Sequence, residues 1–96
     1  MLTFDDLRLK RRVEILDIGG RDGARNIRVF GSVARGENGA ASDVDFLVDL
    51  DPGRTLYDLA GFVADLQDLL GVKVDAVTSG GLRYTRERVL AEARAL

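Results

Sequence analysis

Asp43-Val44-Asp45-Phe46-Leu47-Val48-Asp49-Leu50 is the stretch that decides how the chain folds. Alternate residues of an extended strand point to opposite faces, so Val44, Phe46 and Val48 form one apolar side while Asp43 and Asp45 share the other. The apolar set can pack on helices, which leaves two carboxylates together on the open side of a sheet. Asp51-Pro52-Gly53 then closes the strand with a turn. Asp49 lies further along toward that turn and Asp51 within it, and both read as solvated residues.

Downstream, Thr55 and Asp58 form a Thr-x-x-Asp helix start, with apolar residues at Leu56, Leu59, Phe62 or Val63, Leu66 and Leu69 or Leu70, and Gly71 as the stop. Val72 to Val77 reads as another strand and Thr78 to Gly81 as a loop. From Leu82 or Thr85 onward, Val89, Leu90, Ala93 and Leu96 suit a closing amphipathic helix. Upstream, Thr3 precedes Phe4-Asp5-Asp6 in a capping-box-like start, with a helix continuing through Val13 and Leu16 until Gly19-Gly20 stops it. The basic run Arg8 to Arg12 reads as its solvated face. Asn26 to Phe30 alternates polar and apolar residues and reaches Gly31, which predicts a half-buried strand ending in a turn. Ser32 to Gly36 opens a short helix, and Glu37 to Ser42 reads as a loop. This order predicts an α/β (α+β) fold, a small mixed sheet of three or four strands with helices on one face, in a single domain over residues 1–96.

Composition narrows the chemistry. There is no cysteine, which excludes disulfides, thiolate metal sites and cysteine nucleophiles, and no histidine, the commonest general base. Carboxylates remain as the acid/base and metal-binding groups. With 14 basic and 16 acidic residues mixed along the chain, the net charge of −2 gives no argument for nucleic-acid binding. The first residues lack a secretory pattern and no apolar run approaches membrane-spanning length, so a cytoplasmic location is expected.

Asp43 and Asp45, two residues apart on a strand, sit about 6–7 Å apart along the backbone, close enough for their oxygens to converge on one ion or straddle two. Asp75 alternates with Val74 and Ala76, so it joins the pair if the third strand lies beside the second. Two such charges ~5 Å apart repel by ~3 kcal/mol at an effective dielectric of 20, and a divalent cation reverses that balance. All-oxygen ligation suits Mg²⁺. An Asp-x-Asp pair is weak evidence by itself, since acidic residues often decorate exposed strands. Gly31-Ser32 adds a glycine that allows close backbone approach and a serine that offers its hydroxyl and free amides to an anion, a phosphate cradle in combination with the acids. A P-loop is excluded, because Glu37 and Asn38 stand where Lys and Ser or Thr are required.

Gly31-Ser32, ten intervening residues, and Asp43-Val44-Asp45 together resemble the GS-x10-DxD pattern of the DNA polymerase β-like nucleotidyltransferases, and most closely its minimal members. Gly31-Ser-x-Ala-Arg-Gly36, Ser42-Asp-x-Asp-Phe-Leu-Val48, Leu69-Leu-Gly-x-Lys-Val-Asp75 and the Arg86 to Ala93 tail extend the likeness over most of the chain. The resemblance implies the nucleotidyltransferase fold, two Mg²⁺ ions held by Asp43, Asp45 and Asp75, and ATP as substrate, with Gly31 and Ser32 on the triphosphate. Asp75 is implied as the group that helps deprotonate the acceptor. Arg35 and Lys73 are further candidates for phosphate or acceptor contacts, and Ser42 either contacts the nucleotide or caps the loop. Small members resemble antitoxins that add AMP to a tyrosine of a HEPN-domain toxin, which implies a protein partner. A small-molecule acceptor, or neutralisation by binding without catalysis, are the alternative expectations.

Overall fold

In the computed structural model, which describes residues 1–39, 43–82 and 86–96, four strands form one sheet in the order β3-β2-β1-β4. The strands are β1 (Ala24–Phe30), β2 (Val44–Leu50), β3 (Val74–Thr78) and β4 (Arg94–Ala95), and the helices are α1 (Arg12–Asp22), α2 (Gly31–Arg35), α3 (Leu56–Leu70) and α4 (Arg86–Glu92). β2 runs antiparallel to β1 and parallel to β3, so the sheet is mixed as expected. Val44, Phe46 and Val48 are buried with Phe62 and Leu66 of α3 and Ile15 of α1. The Phe46 and Phe62 rings meet edge to face, 6.2 Å apart, which pins the apolar side of β2 to α3 and turns its acidic side away.

Both sequence-predicted caps form. Asp6 N donates to Thr3 Oγ1 while Thr3 N donates to Asp6 Oδ2, and Thr55 and Asp58 make the same reciprocal pair at the start of α3. The basic run Arg8 to Arg12 is exposed, along a π-helical turn (Asp6–Lys10) that leads into α1.

Several boundaries differ from the sequence expectation: β3 runs Val74–Thr78 rather than Val72 to Val77, the first helix is divided at Arg11, and three further differences have a visible cause. Gly19-Gly20 does not stop the first helix, which runs on to Asp22 and ends at Gly23. Gly19 serves close packing: a Cβ there would stand 2.7 Å from the Ala24 carbonyl oxygen and 2.7 Å from Ile27 Cδ1, so its lack of a side chain lets α1 lie on β1. β1 starts two residues earlier than expected and carries a bulge, with Asn26 at φ 51 and a register shift between Arg25 and Arg28. The closing helix ends at Glu92. Residues beyond it form β4, paired antiparallel to β1 at Val29↔Arg94, because Arg94 and Leu96 bond back to the sheet and to Arg12.

Candidate active site

Strand directions bring three distant segments to one end of the sheet. Antiparallel pairing sets Phe30, the last residue of β1, against Asp45, and parallel pairing sets Asp75 against the same residue. Registered neighbours share a face, so Asp75 stands on the side of Asp45, as the sequence reading required. The residue after Phe30 is Gly31, at φ 72, and a Cβ on it would run into Asp45 Oδ2. Glycine is therefore the residue that lets the turn into α2 close over that carboxylate. Ser32 follows within the first turn of α2, half-buried.

The electrostatics of this corner are out of balance. Asp45 is half-buried, and its carboxyl is pushed above the usual range by burial first, then by the charges of Asp75 and Asp43 and, behind the counteracting Arg35, of Glu92. Asp43 precedes β2 and meets Lys73 Nζ at 3.4 Å, while Asp75 is exposed on β3, an edge strand. Among the described residues, no three acidic side chains stand close enough together to grip a metal ion between them. The ion pair to Lys73 engages one member of the trio. An all-oxygen donor set with surplus negative charge is nevertheless the chemistry that a hard divalent cation fits.

Arg35 reaches Glu37 through Nε at 3.2 Å and Glu92 through Nη1 at 3.0 Å. Glu92 also accepts the Gly31 amide, at 3.3 Å. Sequence reasoning missed Glu92. A carboxylate on the last residue of a helix opposes the helix dipole, and that misplacement was the one available signal that it has a specific partner. Ser42 lies outside the described residues.

The face beyond this corner is less open than the alternation implied. Leu47 has the parity of the acids and is fully buried. Asp49, expected to be solvated, accepts from Asn26 Nδ2 at 3.0 Å, Ser79 Oγ at 3.0 Å and Arg28 Nη2 at 3.4 Å, because the bulge and the opposite register carry those groups to it. These partners hold its carboxyl below the usual range, the Asn26 bond most of all. Asp51 pairs with Arg25 at 3.0 Å on the surface.

Comparison with known proteins converges on one family. Protein adenylyltransferase MntA of Thermococcus cleftensis is 36% identical over 83 residues, 86% of this chain and 84% of that protein. A Methanocaldococcus jannaschii protein, provisionally named a protein adenylyltransferase, is 35% identical over 86 residues, 88% of this chain and 90% of its own length. Among solved structures, a protein provisionally named a minimal nucleotidyltransferase superposes with a TM-score of 0.82 at 46% identity, covering 99% of this chain and 95% of that one. A chain of a toxin–antitoxin complex crystallised with AMP-PNP shares the fold, with a TM-score of 0.73 at 19% identity over 86% of this chain and 69% of that one. The family model described as the nucleotidyltransferase domain matches residues 10–96, and with these relatives it makes the chain a member of that family and a nucleotidyltransferase enzyme.

Proposed function

We propose that the chain transfers AMP from ATP to a hydroxyl of a partner protein, a tyrosine of a HEPN-domain toxin, and neutralises that toxin by doing so. The observation that carries this reading is the pairing of Asp45 with Asp75 under the Gly31 turn, which gathers like charges where a triphosphate and its cations would relieve them. The names of relatives at 35% and 36% identity supply adenylyl transfer to protein, and the same fold occurs in a toxin–antitoxin complex with AMP-PNP.

Asp43, Asp45 and Asp75 are the groups that would hold Mg²⁺, which supplies charge neutralisation for the phosphates and for the departing pyrophosphate. To do so Asp43 must turn from Lys73. Ser32, Gly31 and Arg35 border the triphosphate. The acceptor hydroxyl oxygen bonds to the α-phosphorus, the bond from that phosphorus to the β-phosphate bridge breaks, and pyrophosphate leaves. The acceptor proton passes to the Asp75 carboxylate, which lies exposed on the edge strand where a large partner can reach it.

Co-expression with the product of the adjacent gene tests this directly. Intact mass of the partner should rise in steps of one AMP with the wild-type chain and stay unmodified with Asp43→Ala or Asp45→Ala. Neutralisation that survives both substitutions without a mass change would replace catalysis by binding, and AMP found on a small molecule alone would change the acceptor. An Asp75→Ala variant should still bind Mg·ATP but lose transfer; unchanged turnover would remove Asp75 from the proton path.

A further inference from the structure

α2 is five residues long, too short to fix its own direction, so tertiary bonds decide where its first turn points. The closing segment of the chain supplies several of them. Glu92 Oε1 accepts from the Gly31 amide at 3.3 Å and from Arg35 Nη1 at 3.0 Å, and Glu92 Oε2 lies 3.2 Å from the same arginine nitrogen. One carboxylate therefore ties the first and last residues of α2 together. Two residues on, Arg94 Nη1 donates to the Ala34 carbonyl at 3.4 Å while its guanidinium lies 4.0 Å over the Phe4 ring, and β4 docks on β1.

Placing an acid here is electrostatically costly. Its charge adds to those of Asp43, Asp45 and Asp75, and it opposes the dipole of its own helix. Its bonds run to the turn that closes on Asp45 and to Arg35, the counter-charge of that carboxylate.

We propose that Glu92 is a positioning residue for nucleotide binding: acting through Gly31 and Arg35, it aims the Ser32 hydroxyl and amide at the triphosphate over Asp45. The proposal rests on the nucleotidyl-transfer reading above. Glu92 itself touches neither the nucleotide nor the cation. Because its carboxylate occupies the Gly31 amide, the donor facing the phosphates is Ser32, and Gly31 contributes space.

The test measures Mg·ATP affinity by titration calorimetry, and steady-state KM and kcat, for the full chain and for Glu92→Gln, Glu92→Asp and Glu92→Ala, with thermal melts alongside. Glu92→Gln should stay within threefold of wild type, since one amide oxygen can accept both the Gly31 and Arg35 bonds. Glu92→Ala and Glu92→Asp, which cannot span both partners, should weaken Mg·ATP at least tenfold and raise KM more than they lower kcat. Should Glu92→Ala fail to fold, Glu92→Asp keeps the charge and still decides the matter. Affinity in Glu92→Asp or Glu92→Ala equal to wild type overturns the proposal, as does tighter binding, which would make Glu92 an anion that the triphosphate must displace. Equal loss of Tm in all three variants with affinity retained assigns a structural role and overturns it too. A wild-type chain that binds no Mg·ATP sinks the functional reading itself and Glu92's role with it. A wild type that binds normally beside an unaffected Glu92→Ala sinks Glu92 alone.

Discussion

Asp45 and Asp49 lie four residues apart on one face of β2, and the fold surrounds them with opposite company. Asp49 is met by Asn26, Arg28 and Ser79, all donors, and its acidity is strengthened. Asp45 is met by Asp75, Asp43, Glu92 and the bare backbone of Gly31, with Arg35 as the counterweight, and its acidity is weakened. One strand thus carries an acid whose neighbours favour its charge and one whose neighbours oppose it. Residue type and spacing do not separate them; their neighbours do. A carboxylate whose surroundings oppose its charge costs stability, and a cation or ligand bound beside it would relieve that cost.

Exchanging each acid for its amide should break the comparison most sharply. Asp45→Asn should reduce transfer by about 10³-fold while raising stability by about 0.2–1 kcal/mol, since a like charge directly opposite Asp75 disappears. Loss of both activity and stability would make Asp45 another structural acid. Gly31→Ala comes next in size. Its Cβ must displace the Asp45 carboxylate and its backbone must hold φ 72, a cost of roughly 1–2 kcal/mol, with transfer falling roughly 10²-fold as the turn shifts.

Asp49→Asn should do the reverse of Asp45→Asn. Asparagine offers one oxygen where Asn26 and the Arg28–Ser79 pair approach two, and Arg28, its side chain 16% exposed, loses its counter-charge. A loss of about 1–2 kcal/mol, or roughly 5–10 °C in Tm, is expected with transfer changed less than threefold. The pH dependence should differ in sign, measured without Mg²⁺. Asp49 has a depressed folded pKa, so its stabilisation is complete above the unfolded value of about 3.9 and is lost as pH falls through the folded value. The deficit of Asp49→Asn should accordingly shrink below about pH 4. Asp45 has a raised folded pKa, so its ionisation costs stability once pH climbs above about 3.9, and the advantage of Asp45→Asn should appear as pH rises through that range.

Much of this was legible in the residues. Alternation in β2, the two Thr-x-x-Asp caps and the glycine before Ser32 are local signals, and each carries its meaning within a few residues. The pairing of Asp45 with Asp75 was legible as a condition, because the parity of Asp75 was readable while strand adjacency was not. What escaped was set by contacts distant in sequence. Gly19 looks like a helix stop until Ala24 and Ile27 are seen to need the space a Cβ would fill. Asp49 looks solvated until a bulge at Asn26 and the end of β3 bring donors to it. Glu92 has no motif of its own, and its meaning lies 61 residues upstream in the amide of Gly31.

The smallest expected effect falls between the two aspartates in character, at the Asp43–Lys73 pair. That pair is 3.4 Å long with side chains 34% and 68% exposed, so its strength should be that of a surface ion pair, about 0.2–1 kcal/mol. If Lys73 holds Asp43 away from a cation, Lys73→Met should cost no more than ~1 kcal/mol of stability and lower the Mg²⁺ concentration for half-maximal transfer by about 1.4- to 5-fold, the same energy read as an equilibrium. The effect should fade as ionic strength rises, because an exposed pair is screened over about 10 Å at 0.1 M salt. A raised KM for ATP with unchanged Mg²⁺ dependence would instead place Lys73 on the phosphates. Asp43 would then belong with Asp45, whose acidic neighbours outnumber its one basic neighbour, Arg35.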